Sequence, residues 1–191
     1  MGLIGLLVGG AIDAHKAIKQ NQAQKNEEVH HVVVEDKFSI DVPSFLSDIH
    51  DAGEDASVHY GSRTLGVTFQ IIDEPKDEFV EVIADLKADL PSLCENESLL
   101  DKMAVLVLSN LFEDMDKVEI GNYKETQING LKAVTLNAFQ KRTFFKDAMY
   151  GTFAFVEGEN TLYQIIILSG GTSITMLADK LELSINSFRE L

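Results

Sequence analysis

Residues 148–188, AMYGTFAFVEGENTLYQIIILSGGTSITMLADKLELSINSF, change their hydrophobic period part-way. Apolar and polar residues alternate as far as Leu168, and the same alternation reaches back to Val118. Beyond Ser169-Gly170-Gly171 the apolar residues recur at Ile174, Leu177, Leu181, Ile185 and Phe188, which is helical spacing. A period of two followed by one of 3.6 predicts a sheet with an amphipathic helix laid on one face. The strands read as Val118–Tyr123, Leu131–Lys141, Ala148–Val156 and Leu162–Leu168, with turn chemistry at Asn129-Gly130 and at Glu157-Gly158-Glu159-Asn160. Thr172 or Ser173 is placed to cap the closing helix.

Working backwards, Ser98 to about Met115 reads as a helix: Met103–Leu108 is apolar enough to be a strand, but the length of the whole segment favours a buried helix. Pro75 suits the first turn of another helix, with Asp77 and Glu78 at its positive end and Phe79, Ile83, Leu86 and Leu90 as its buried stripe; Pro91 ends it. Ser57–Tyr60 and Leu65–Ile72 read as strands around Gly61-Ser62, and Leu65, Val67, Phe69 and Ile71 share one face. Val32–Val34 and Phe38–Val42 read as one opening strand stopped by Pro43, followed by a polar loop from Ser47 to Ala56. The element order is β-β-β-α-α-β-β-β-β-α. Connections this short between strands require antiparallel pairing, so the fold class is α+β, a mostly antiparallel sheet of about six to seven strands with helices packed on it, plus an N-terminal helix.

The 191 residues suit one domain, residues 32–191, behind a leader, residues 1–31. With 45% hydrophobic and 25% charged residues the chain is globular in composition, and its single cysteine, Cys94, forms no internal disulfide. The formal charge of −15 lies entirely in residues 35–116, which hold 20 acids against 5 bases. Such a region repels phosphate backbones, which opposes nucleic acid and favours a basic protein surface or a cation.

Residues 3–12, LIGLLVGGAI, are an apolar run of ten, about half of the roughly 20 residues a spanning helix needs. No Lys or Arg precedes the run as a secretory signal requires, and Leu6 stands where a myristoylation signal has Ser or Thr. The run is expected to be the front of a helix covered by its own domain, by a second copy or by a membrane surface. Leu3, Leu6, Leu7 and Ile12 are its interaction residues.

The opening FSIDVP, the middle helical block, the stretches LKAVTLNAF and MYGTFAFVEGENTLYQIIIL, and the closing SINSFREL together resemble the PsbP-like fold, over about residues 32–191. That fold is shared by the photosynthetic extrinsic subunit PsbP, a Ran-binding nuclear import factor and bacterial proteins such as DcrB. The resemblance implies an α/β/α sandwich and a binding or assembly role without catalysis. It carries no active site with it.

Local motifs for chemistry are incomplete. Glu27 and His31 would share a helix face at i, i+4 if the leader helix persisted, but no H-E-x-x-H or paired C-x-x-C completes a metal set. The loop Asp48-Ile49-His50-Asp51-Ala52-Gly53-Glu54-Asp55 has the acid density of a calcium loop, yet His59 stands where its bidentate Glu belongs. Ser169–Ser173 lacks the Lys of a phosphate loop, and Lys141, Arg142, Phe144, Phe145 and Lys146 form too small a footprint for nucleic acid. Cys94 has no His near it in sequence, and all five histidines precede residue 60.

The expectation is a non-enzymatic binding protein of the cytoplasm. It takes a protein partner or self-associates, with residues 1–20 available to a membrane surface, and has no catalytic, cofactor-binding or metal residues. The alternatives are a hydrolase or metal-dependent enzyme built on the acidic first half, and a peripheral membrane protein.

Overall fold

The structure, a computed structural model, describes residues 29–49, 56–85, 98–112, 114–141, 148–170 and 173–191. The order is β1 (Val29–Val34), β2 (Phe38–Pro43), β3 (Ser47–Asp48), β4 (Val58–Ser62), β5 (Val67–Pro75), α1 (Lys76–Asp85), α2 (Leu99–Leu111), β6 (Val118–Ile128), β7 (Leu131–Gln140), β8 (Met149–Glu157), β9 (Thr161–Gly170), α3 (Ser173–Ser187) and β10 (Arg189–Glu190). Seven strands form one antiparallel sheet, β3-β4-β5-β9-β8-β7-β6, and β1-β2-β10 form a second, smaller one.

Strand alternation gives the large sheet two apolar faces, each with its own cover. On one face Val134, Leu136, Ala138, Phe153, Phe155, Leu162 and Ile166 pack with Phe79 of α1 and with Met103, Ala104 and Leu108 of α2. Ser98 starts α2 by accepting the N–H of Asp101 on its Oγ at 3.1 Å. On the other face Val67, Phe69, Ile71, Tyr163, Ile165 and Ile167 meet Leu177, Leu181 and Ile185 of α3, and Phe38, Ile40 and Val42 of β2. Phe188, fully buried, lies between the Phe38 ring at 5.4 Å and the Tyr163 ring at 4.8 Å.

The α+β class, the antiparallel sheet and three helices in the expected order stand, and several details differ. Pro75 ends β5 and α1 starts at Lys76, α2 stops at Leu111 short of Met115, and Leu86, Leu90 and Pro91, assigned to the end of α1, lie outside the described residues. The opening strand is a hairpin: Glu35 adopts a φ of +34° and the Lys37 N–H bonds the Val34 carbonyl, folding β2 back onto β1. Two β-branched runs separated by three polar residues look like one strand in the sequence, yet three residues suffice for a turn. The strands therefore form two sheets and not one. β1 begins at Val29, inside the stretch assigned to the leader. β3 falls within the expected polar loop, and β6 extends to Ile128 through a bulge between Gly121 and Lys124, where Asn122 has a φ of +54°. α3 ends at Ser187, so Phe188 follows the helix, and the chain continues as β10 against β2. Asn129 and Gly130 have φ values of +48° and +90°, the mirror-image turn their pair signals. The expected N-terminal helix, with Leu3, Leu6, Leu7 and Ile12, lies outside the described residues.

Candidate binding surfaces

The α3-side face of the large sheet is not covered to its edge. Along β7 the residues on this face are Leu131 and Ala133, which join the core, and then Thr135, Asn137 and Phe139. Along β8 they are Val156 and Ala154, then Thr152 and Tyr150. Where the side chains turn from aliphatic to hydroxyl and amide, α3 no longer lies over the sheet. A groove opens between the flank of α3, made by Ala178 and Glu182, and this corner of the sheet. It consists of two adjoining cavities of about 320 and 480 Å³ that share Asn137, Thr152 and Ala178.

Cross-strand register assembles the floor. Asn137 stands opposite Thr152, and Phe139 opposite Tyr150, whose rings stack at 4.2 Å and close one end. Lys124 of β6 reaches the other end after the bulge has shifted the register, placing it opposite Thr135. Amide, hydroxyl, ammonium and carboxylate groups beside an aromatic wall can meet both the polar backbone and an apolar side chain of an incoming segment.

A second concavity, about 640 Å³, lies at the end of the sandwich where the β1–β2, β6–β7 and β8–β9 turns meet β10. Its polar groups are largely satisfied within the protein. Glu190 accepts the Tyr163 hydroxyl at 3.0 Å and the Glu159 N–H at 3.1 Å. Asn129 donates to the carbonyls of Asn186 and Phe188, at 3.0 and 2.7 Å. Burial, reinforced by the Glu190 carboxylate, pushes the Tyr163 phenol up to about 12. Lys37 bridges the hairpin to the large sheet through Asp73 at 2.8 Å. Burial works to raise the Asp73 carboxyl, but hydrogen bonds from Lys37 and Ser57 outweigh it and hold the group below its usual range. This end of the molecule is built as a clasp.

The residues singled out in the sequence are dispersed. His31 lies in β1 and not on a leader helix, and its Nδ1 is 2.8 Å from Asp41 of β2. His30 lies near the Tyr60 ring, at 6.1 Å between centroids. His59 on β4 pairs with Gln70 at 3.1 Å, and burial lowers its pKa against the partial opposition of Asp48. Residues 50–55, with His50, lie outside the described residues, as do Cys94 and residues 142–147. Lys141 is bound to Glu119 across β6 and β7. Ser169 is buried, and residues 171 and 172 fall outside the description. Among the described residues, no three His, Cys, Asp or Glu side chains gather as a metal set, and no helix is long and apolar enough to cross a membrane. The groove escaped the sequence reading because its Thr and Asn residues look like the ordinary polar half of an alternating strand. The signal was their replacing aliphatic residues on the same face part-way along β7 and β8.

No family model matches the chain, and no curated protein matches it in sequence. Solved structures do match in shape. The solution structure of cyanobacterial PsbP (CyanoP) from Synechocystis sp. PCC 6803 aligns over 85% of this chain and 92% of its own, with a TM-score of 0.56 and 9% identity. The fold is PsbP-like. The Ran-binding protein Mog1p of Saccharomyces cerevisiae aligns over 86% of this chain and 96% of its own, with a TM-score of 0.54 and 12% identity. At these identities the likeness concerns the PsbP-like architecture alone.

Proposed function

We propose that this chain is a non-enzymatic binding or assembly protein whose PsbP-like domain takes a protein partner in the groove beside α3. The observation that supports this most is the change of side-chain chemistry within β7 and β8. A sheet face that needed only to be buried would have stayed aliphatic, whereas this corner presents Thr135, Asn137 and Thr152 beside the Phe139–Tyr150 stack. Mog1p, which shares the fold, is by its name a Ran-binding protein, so this architecture serves protein recognition in at least one case.

The leader of residues 1–31 and the domain of residues 32–191 belong to this proposal with their boundary moved back to Val29, where β1 begins. Leu3, Leu6, Leu7 and Ile12 supply a second contact element, and the cytoplasm, with or without a membrane surface nearby, is the proposed setting.

The test is a comparison of two baits in native lysate, the wild type and Asn137→Arg/Thr152→Arg, with bound proteins identified by mass spectrometry. The large side chains fill the groove without entering the core. A partner retained by the wild type and lost by the variant supports the proposal. Identical recovery by both baits rejects it.

A further inference from the structure

The outer layer on the α3 side carries apolar residues that no part of the described structure covers. Val29 and Val33 of β1 are 54% and 55% exposed, and Met176 and Leu183 of α3 are each 69% exposed. In β1 the alternate residues Val32 and Val34 pack inward on the core, so Val29, His31 and Val33 point outward.

Helical spacing fixes which flank of α3 the other two occupy. Ala178, Glu182 and Asn186 line the groove on one flank. Met176, Lys180, Leu183 and Ser187 recur at i, i+4, i+7 and i+11 on the opposite flank. Two contacts orient that flank toward the small sheet. The Lys180 ammonium lies 5.6 Å from the centre of the Phe45 ring, and Ser187 Oγ accepts the Asp41 N–H at 2.8 Å. Asp41 of β2 links the two elements, its carboxylate 2.8 Å from His31 of β1 and its N–H bonded to Ser187 of α3, so the exposed valines and the exposed Met176 and Leu183 flank β2 on either side; the surface over β2 between them is the trough.

The chain enters the described structure at Val29, on the rim of this trough. Sixteen residues, 13–28, separate it from the apolar run Leu3–Ile12. Extended, they span at most about 50 Å, whereas α3 is about 22 Å long, so the run reaches any part of the trough. A segment tethered to the rim of an apolar surface meets it at an effective concentration that a free partner does not reach.

We infer that the apolar run of residues 3–12 docks in the trough between β1 and α3 of its own domain, with Leu6 and Leu7 against Met176 and Leu183. The inference rests on the reading of Leu3, Leu6, Leu7 and Ile12 as a contact element and is independent of the groove on the other flank of α3. The leader then covers one side of the helix and leaves the partner groove free.

Methyl NMR of the full chain tests this. In the wild type and in Leu6→Asp/Leu7→Asp, the methyl resonances of Val29, Val33, Met176 and Leu183 are compared, with Ile165 and Ile167 as core references. The inference predicts that the four trough residues shift in the variant, that the core references do not, and that the wild-type spectrum is unchanged on tenfold dilution. Trough signals identical in the two proteins would overturn it. So would a difference that fades on dilution, which assigns the trough to a second copy, or one that arises only with anionic phospholipid vesicles, which assigns the run to a membrane. A partner that binds at Asn137 while the trough signals stay fixed would separate failure of this inference from failure of the proposed function.

Discussion

Two stretches of the same strand, β7, face the same layer and have different fates. Leu131 and Ala133 lie under the cover of the α3-side core, while Thr135, Asn137 and Phe139 run out from beneath it. β8 repeats the change antiparallel to it, from Val156 and Ala154 to Thr152 and Tyr150. Because burying a hydroxyl or amide without a partner costs about 1 to 3 kcal/mol, the closed stretch excludes such groups and the open one tolerates them. The boundary between closed and open packing therefore falls inside single strands, and under the proposed function it also divides stability from recognition.

The difference between closed and open stretches is sharpest at Phe188. Its ring is fully buried with Phe38 and Tyr163, so Phe188→Ala is expected to cost about 3 to 5 kcal/mol, read from chemical denaturation. A loss under about 1 kcal/mol would show that the closed half is looser than its packing indicates. Gly130 comes next. Its φ of +90° places a Cβ in a disfavoured conformation although the space around it is open, so Gly130→Ala should cost about 1 to 2 kcal/mol by strain alone.

Tyr163 tests the clasp between the β8–β9 turn and β10. Removing its hydroxyl in Tyr163→Phe should cost about 0.5 to 1.5 kcal/mol, because Glu190 still accepts the Glu159 N–H. Its pH signature has a definite sign. A phenol raised from 10.0 to about 12 holds its proton more firmly folded than unfolded, so its contribution is complete below pH 10 and is lost as pH climbs toward 12. Thermal melts across that window should show a shallower decline for Tyr163→Phe than for the wild type. In the open stretch, Asn137→Ala should move stability by no more than about 0.5 kcal/mol. A larger change there would mean that Asn137 serves the fold and not a partner.

Much of this architecture was legible in the sequence because alternation and helical spacing report one element at a time. Val67, Phe69 and Ile71, the α2 run from Met103 to Leu108, and the α3 stripe of Leu177, Leu181 and Ile185 all fall where periodicity put them. What periodicity cannot convey is how far a cover extends. Thr135 and Thr152 have the same polar character whether they face solvent, a helix or a partner, and only the placement of α3 across the sheet distinguishes these. The β1–β2 hairpin was hidden for a related reason: three polar residues between two valine-rich and isoleucine-rich runs carry no Gly or Pro to mark the reversal. Phe188 kept helical spacing with Ile185 although the helix had ended, since core contact, not backbone conformation, sets that spacing.

The most direct test of the account compares partner binding with stability in the groove-filled protein. Asn137→Arg/Thr152→Arg should melt within a few degrees of the wild type and lose the partner that the wild type retains from native lysate. Retention of that partner by a folded variant would contradict the account and place recognition elsewhere on the molecule.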